Sequence, residues 1–65
     1  MTNLELKIAD KIKAKIQDNQ YIDWPFVSSH VKADNLYKVW GLMIAEGILS
    51  QGYRNIKNNP RYKLA

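Results

Sequence analysis

The stretch LYKVWGLMIAEGIL, residues 36–49, decides how this chain folds. Its apolar residues recur at i, i+3, i+4 and i+7, at positions Leu36, Val39, Trp40 and Met43. That spacing places them on one face of a helix, so the pattern predicts a helix over about 35–46. Gly47 follows at once, and glycine is the usual residue just past a helix end. We therefore expect this helix to bury one face and to stop at Gly47.

A long first helix is predicted over about 3–18. Thr2 and Glu5 have the spacing of a capping box, in which each side chain satisfies a free amide at the helix start. Apolar residues then recur every four positions, at Leu4, Ile8, Ile12 and Ile16. That repeat predicts a buried stripe along one side of the helix.

A short second helix is predicted over about 24–31. Asp23 fits its N-cap, and Pro25 is tolerated in the first turn because the amides there lack helical partners. Tyr21 and Ile22, just before it, fit a short extended segment. Asp34 is expected to cap the third helix.

The C-terminal segment changes from helical to alternating patterning. Residues 48–53 and 61–64 can point alternate side chains inward and outward, as strands do. Between them lies a polar, flexible loop, residues 54–60, with Asn and Pro in turn-forming positions. The expected fold is therefore α+β, with three helices followed by a two-stranded β-hairpin over about 48–64.

Length and composition limit what the chain can be. Sixty-five residues make one domain, 1–65, and 46% hydrophobic residues suffice for one core. There is no Cys, and His30 is the only His, so no metal, no cofactor and no catalytic set is expected. No small-molecule ligand is predicted. The longest apolar run is far too short to span a membrane, and no signal-peptide pattern is present, which favours a cytoplasmic protein.

The positive charge lies entirely in the C-terminal segment. Residues 1–46 carry six Lys and six acids and balance to zero. From Gly47 onward there are four bases and no acid, so this segment carries the whole net charge of +4. Solubility alone would not require the bases to be segregated from the acids, and a basic hairpin after a run of helices favours contact with a nucleic acid.

The order of elements resembles the winged helix-turn-helix superfamily. The residues that carry the likeness are the helix from Leu36, its corner Glu46-Gly47-Ile48-Leu49, and the hairpin ending Tyr62-Lys63-Leu64. The resemblance implies that the third helix enters the DNA major groove and that the hairpin, the "wing", touches the backbone or minor groove. Asn59-Pro60-Arg61-Tyr62 is faintly similar to the wing of Z-DNA-binding domains. Their third-helix Asn and Tyr are matched here by Tyr37 and Gly41, so left-handed DNA is not the expected ligand.

Two groups of residues are the candidate DNA contacts. On the outward arc of the third helix these are Asn35, Tyr37, Lys38 and Gly41, where Gly41 would let the backbone approach closely. On the hairpin they are Arg54, Asn55, Lys57, Asn58, Arg61 and Lys63. Trp24 and Trp40 are expected in the core rather than stacked on bases.

The predicted function is that of a small protein that binds double-stranded DNA, as a transcriptional regulator. One module this small offers little contact area, so a homodimer or a protein partner is expected to contribute. The alternative is a winged helix used as a protein-interaction module, an adaptor or inhibitor. It would use the apolar outer surface of the third helix, where Leu42, Ala45 and Tyr37 lie.

Overall fold

A computed structural model describes all the residues of the chain, 1–65. The helices are α1 (Asn3–Asn19), α2 (Trp24–His30) and α3 (Leu36–Ala45), and the strands are β1 (Leu49–Gln51) and β2 (Tyr62–Leu64). The two strands pair antiparallel. Three helices followed by an antiparallel hairpin confirm the predicted α+β fold. The strands are three residues each, shorter than the alternating pattern indicated, and residues 52–61 form the irregular loop between them.

The first helix begins with the capping box that its sequence predicts. The Glu5 amide donates to Thr2 Oγ1 at 3.2 Å, and the Thr2 amide donates to Glu5 Oε1 at 2.8 Å. The predicted stripe is wrong at one position: Leu4 is 63% exposed, whereas Glu5 is buried. The reason is helix geometry: a strict four-residue spacing drifts by about 40° per step, so Leu4 leaves the buried face and Glu5 lies on it. There Lys38 Nζ of α3 lies 3.4 Å from the Glu5 carboxylate. Further along, the stripe is buried as expected, with Ile8, Ile12 and Ile16.

The buried Glu5 makes stability depend on pH. The Thr2 amide that donates to its carboxylate holds the pKa of Glu5 below its ordinary value of 4.5, and Lys38 acts in the same direction. The folded state therefore binds this proton less readily than the unfolded state. The resulting stabilisation is present above about pH 4.5 and is lost as the pH falls through the lowered pKa.

Replacing Glu5 with Gln should remove that part of the pH dependence. We expect the difference in melting temperature between the wild type and Glu5→Gln to be largest near pH 7 and to shrink on acidification below pH 4.5. Thermal melting by circular dichroism at pH 7, 5, 4 and 3 measures it. Parallel curves for the two proteins would show that Glu5 does not contribute in this way.

The second and third helices begin differently from one another. Asp23 caps α2 as predicted, since its Oδ1 accepts from the Phe26 amide at 2.9 Å. The prediction that Asp34 caps α3 is wrong. The N-cap is Asn35, whose side chain makes no capping hydrogen bond, and the Leu36 amide bonds instead to the Ala33 carbonyl at 3.3 Å.

Gly47 ends α3, as the sequence indicates. Its φ of +75° is a left-handed conformation that glycine adopts without steric cost. The Gly47 amide donates to the Ile44 carbonyl, and the Ile48 amide donates to the Met43 carbonyl at 2.9 Å. These two bonds form a Schellman motif, which turns the chain directly into β1.

The hairpin is joined to the helical body along β2. On one side, Leu49, Ser50 and Gln51 pair with Leu64, Lys63 and Tyr62. On the other side, Ile22 and Tyr62 exchange both backbone hydrogen bonds, at 2.8 and 3.0 Å. The short extended segment predicted before α2 therefore pairs with the free edge of β2 through Ile22. As a result, β2 has hydrogen-bond partners on both of its edges.

One hydrophobic core joins all these elements. It contains Ile8, Ala9, Ile12, Ile16, Ile22, Val27, Val31, Leu36, Val39, Trp40, Met43 and Leu49. Trp40 is 6% exposed, as predicted, and its ring packs edge-on against Tyr62 with centroids 5.2 Å apart. Trp24 packs against the core, and its ring lies 6.1 Å from that of Trp40. The aromatic contacts thus connect α2, α3 and β2.

Candidate nucleic-acid interface

The four cations of the hairpin segment have no acidic partner. Arg54, Lys57 and Lys63 are exposed, and Arg61 is half-buried. The structure contains one ion pair, between Lys38 and Glu5, and it lies on α1 and α3. All six acidic residues precede the hairpin in the sequence. The Asp23 carboxylate reaches the hairpin through a hydrogen bond to Asn55, and it forms no ion pair with a hairpin cation.

Hydrogen bonds hold the loop that the sequence predicts between the two strands. Asn55 organises it, because its Oδ1 accepts from the amides of Lys57 and Asn59, both at 3.0 Å. The Asn58 amide also donates to the Asn55 carbonyl at 2.8 Å, which closes a turn over residues 55–58. We call this turn the loop tip.

A side-chain hydrogen bond joins the loop tip to the helical body. Asn55 Nδ2 donates to Asp23 Oδ2, while the other carboxylate oxygen of Asp23 caps α2. One Asp therefore fixes both the start of α2 and the position of the tip. Asn55 has a single amide hydrogen left for a ligand, so its main role in the structure is to hold the tip.

The two arginines also stiffen the hairpin and keep donors free. Arg54 Nη1 donates to the Asn58 carbonyl at 2.8 Å, and Arg61 Nε donates to the Tyr53 carbonyl at 2.8 Å. The Arg61 guanidinium also lies over the Tyr21 ring, 5.0 Å from its centroid. A guanidinium has five N–H donors, so each arginine retains several for phosphate oxygens.

The candidate residues on α3 form a smaller and less charged surface. Tyr37 is 72% exposed but rests edge-on against Trp24, with ring centroids 5.1 Å apart. Lys38 is exposed and paired with Glu5. Gly41 opens to solvent, because a Cβ placed there would meet no atom within 4 Å. Asn35 is half-buried at the N-cap. The structure brings Tyr37, Lys38 and Gly41 together on one exposed part of the helix.

Two exposed residues of the hairpin were not among the candidates. Ile56 is fully exposed at the loop tip, and Tyr53 is 88% exposed at its entrance. The polar composition of residues 54–60 predicts a polar loop and does not single out Ile56. The feature of the sequence that could have indicated Ile56 is its isolation. It is the one large aliphatic residue in the loop, and it lies between Asn55 and Lys57.

Two shallow clefts lie on either side of Tyr21. One, of about 260 Å³, is lined by Asn19, Tyr21, Ile22, Asp23, Phe26, Asn55 and Arg61. The other, of about 380 Å³, is lined by Tyr21, Ser50, Gln51, Gly52, Tyr53 and Lys63. His30 lies elsewhere, stacked on the Phe26 ring with its Nδ1 2.8 Å from the Phe26 carbonyl. No three His, Asp or Glu side chains come close enough to hold a metal ion.

Comparison with known proteins yields no relative for this chain. No protein-family model, curated protein or solved structure matches it. None of the helices combines the length and the apolar character needed to cross a membrane.

Proposed function

We propose that this protein is a winged helix-turn-helix protein that binds double-stranded DNA and regulates transcription. The observation that carries the proposal is the set of four hairpin cations with no carboxylate partner, three on a loop held by hydrogen bonds and the fourth, Lys63, on β2. Fixed, uncompensated cations suit the regular negative charge of a phosphate backbone.

The hairpin supplies most of the electrostatic contact. Lys57 and Lys63 are exposed and unpaired, so each is free to meet a phosphate. Arg54 and Arg61 add planar donors that are already positioned by their bonds to the backbone. Such contacts fix the protein on the duplex and carry no sequence information of their own.

The third helix supplies the approach to the major groove. The open space at Gly41 lets the α3 backbone come close to the bases, and Lys38 and Tyr37 lie beside it. The Lys38 ammonium is exposed and can reach a phosphate, and the buried Glu5 carboxylate then keeps its hydrogen bond from the Thr2 amide. With one cation and few polar groups on this face, base recognition is limited, which is why a second copy or a protein partner is part of the proposal.

A salt series tests DNA binding directly. Fluorescence anisotropy with a labelled duplex should give an affinity whose logarithm falls with the logarithm of salt, with a slope of roughly −3 to −4 if all four hairpin cations meet phosphates. Arg54→Ala together with Lys57→Ala should weaken binding and flatten the slope. No measurable binding at low salt would rule the proposal out.

The second candidate is a protein-interaction module, an adaptor or inhibitor that uses the apolar outer face of α3. It is favoured by Tyr37, which is 72% exposed on α3, and by Leu4 of α1, which is 63% exposed next to Glu5, the partner of Lys38. The two candidates separate in the same experiment. An adaptor would bind no duplex even at low salt, and Tyr37→Ala would affect only binding to its protein partner.

A further inference from the structure

The loop tip carries an apolar side chain that the fold does not use. Ile56 is fully exposed, and its nearest neighbours in sequence are polar or basic. Single exposed apolar residues are common on protein surfaces. Ile56 differs from these because several hydrogen bonds hold the backbone of the turn that carries it.

The backbone under Ile56 is fixed before any partner arrives. Ile56 and Lys57 are the central residues of the turn closed by the bond from the Asn58 amide to the Asn55 carbonyl. The Asn55 side chain accepts hydrogen bonds from two amides of the loop and donates one to Asp23. Arg54 adds a bond to the Asn58 carbonyl from the outside. A side chain presented on such a rigid support loses little backbone entropy on binding.

We infer that Ile56 is a wedge that enters the minor groove of DNA and partly unstacks one base step. Apolar side chains, isoleucine among them, act in this way in proteins that kink DNA from the minor groove. The inference rests on the proposed DNA binding. Beyond that binding, the inference specifies that the loop tip enters the minor groove and that the DNA is kinked there. It also specifies a preference for pyrimidine–purine steps, which unstack most easily.

The residues around Ile56 suit that groove. Arg54 and Lys57 flank it without acidic partners and are placed to meet phosphates beside the insertion point. Asn58 and Asn59 carry side-chain amides that can donate to the acceptors on the minor-groove edge of A·T pairs. Besides DNA, an anionic lipid membrane can also accept an apolar side chain that is surrounded by cations. Interfacial anchoring, however, uses a broad apolar face, and the loop tip offers one aliphatic side chain and several amides.

Fluorescence of 2-aminopurine placed at a central TA step tests the wedge. At saturating protein, the wild type should raise the emission because unstacking relieves quenching of this base. Ile56→Ser should bind roughly tenfold more weakly and leave the emission unchanged at saturation, because it lacks the apolar group to be buried. Ile56→Leu should keep the increase. Both substitutions fall at a fully exposed position, so melting temperatures should match the wild type.

The possible results separate the wedge from DNA binding itself. Equal emission from the wild type and Ile56→Ser at saturation overturns the wedge and leaves salt-sensitive duplex binding standing. Absence of any salt-sensitive binding overturns both. Co-sedimentation with phosphatidylcholine–phosphatidylserine vesicles that Ile56→Ser abolishes, with no emission change on DNA, would make the loop tip a membrane contact and the wedge wrong.

Discussion

Trp40→Ala is expected to leave most of the protein unfolded at 25 °C. Truncating a large buried aromatic residue costs about 3 to 5 kcal/mol of unfolding free energy. A chain of 65 residues has only about 3 to 10 kcal/mol in total, at about 0.05 to 0.15 kcal/mol per residue. Trp40 also contacts both Trp24 and Tyr62, so its loss removes one contact of α3 with α2 and one with β2.

Urea titration and thermal melting by circular dichroism measure this effect. Trp40→Phe keeps an aromatic ring in the core and should lose less than Trp40→Ala. Tyr53→Ala is the matched control, because it removes an aromatic side chain that is 88% exposed and should melt close to the wild type. If Trp40→Ala melts like Tyr53→Ala, the core is not organised around Trp40.

The helices could be predicted from the sequence because their determinants are local. Periodic apolar residues, the Thr2–Glu5 capping box and Gly47 each act within a few residues of the place they specify. The error at Leu4 came from applying a strict four-residue spacing, which drifts by about 40° per step, so that Glu5 and not Leu4 shares the face of Ile12. What the local pattern does not show is the charge partner of the buried Glu5 carboxylate, because Lys38 lies 33 positions further along.

For the candidate site, too, the sequence predicts the local features and not the contacts between distant residues. The segregation of cations into the hairpin is visible in the sequence, because it depends only on composition. The rigidity of the loop is not visible, since it depends on the bond between Asn55 and Asp23, which are 32 positions apart. Through that bond Asn55 holds the loop tip against the helical body, a role that its residue type alone does not indicate. The bond also explains why a loop rich in Asn is held in one conformation.

Several contacts connect the hairpin to the body, and three of them lie on β2 and at the loop tip. Ile22 pairs with Tyr62, Trp40 packs on the Tyr62 ring, and Asp23 holds Asn55. All three connections lead to α2, α3 or the segment between α1 and α2. A ligand bound at the hairpin therefore meets a surface whose orientation relative to α3 is fixed by the core, as simultaneous contact by both elements requires.

Removing the two unpaired hairpin lysines should give the largest loss of DNA affinity without loss of the fold. Lys57→Gln with Lys63→Gln should weaken duplex binding by roughly 50-fold at 0.1 M salt, since each phosphate contact is worth about 0.9 logarithmic units per tenfold change in salt. For the same reason the salt slope should fall by roughly 1.8. Neither side chain makes a hydrogen bond or ion pair in the structure, so the melting temperature should hardly change.

Lys7→Gln with Lys11→Gln is the matched control for this pair. It removes the same number of charges from exposed, unpaired lysines, but on α1, within residues 1–46, over which acids and bases balance. If net charge alone attracted DNA, both double variants would lose affinity equally. A loss confined to Lys57 and Lys63, accompanied by the lower slope, would assign the contact to the hairpin. Equal losses would contradict that assignment, because they would mean that the position of the cations does not matter.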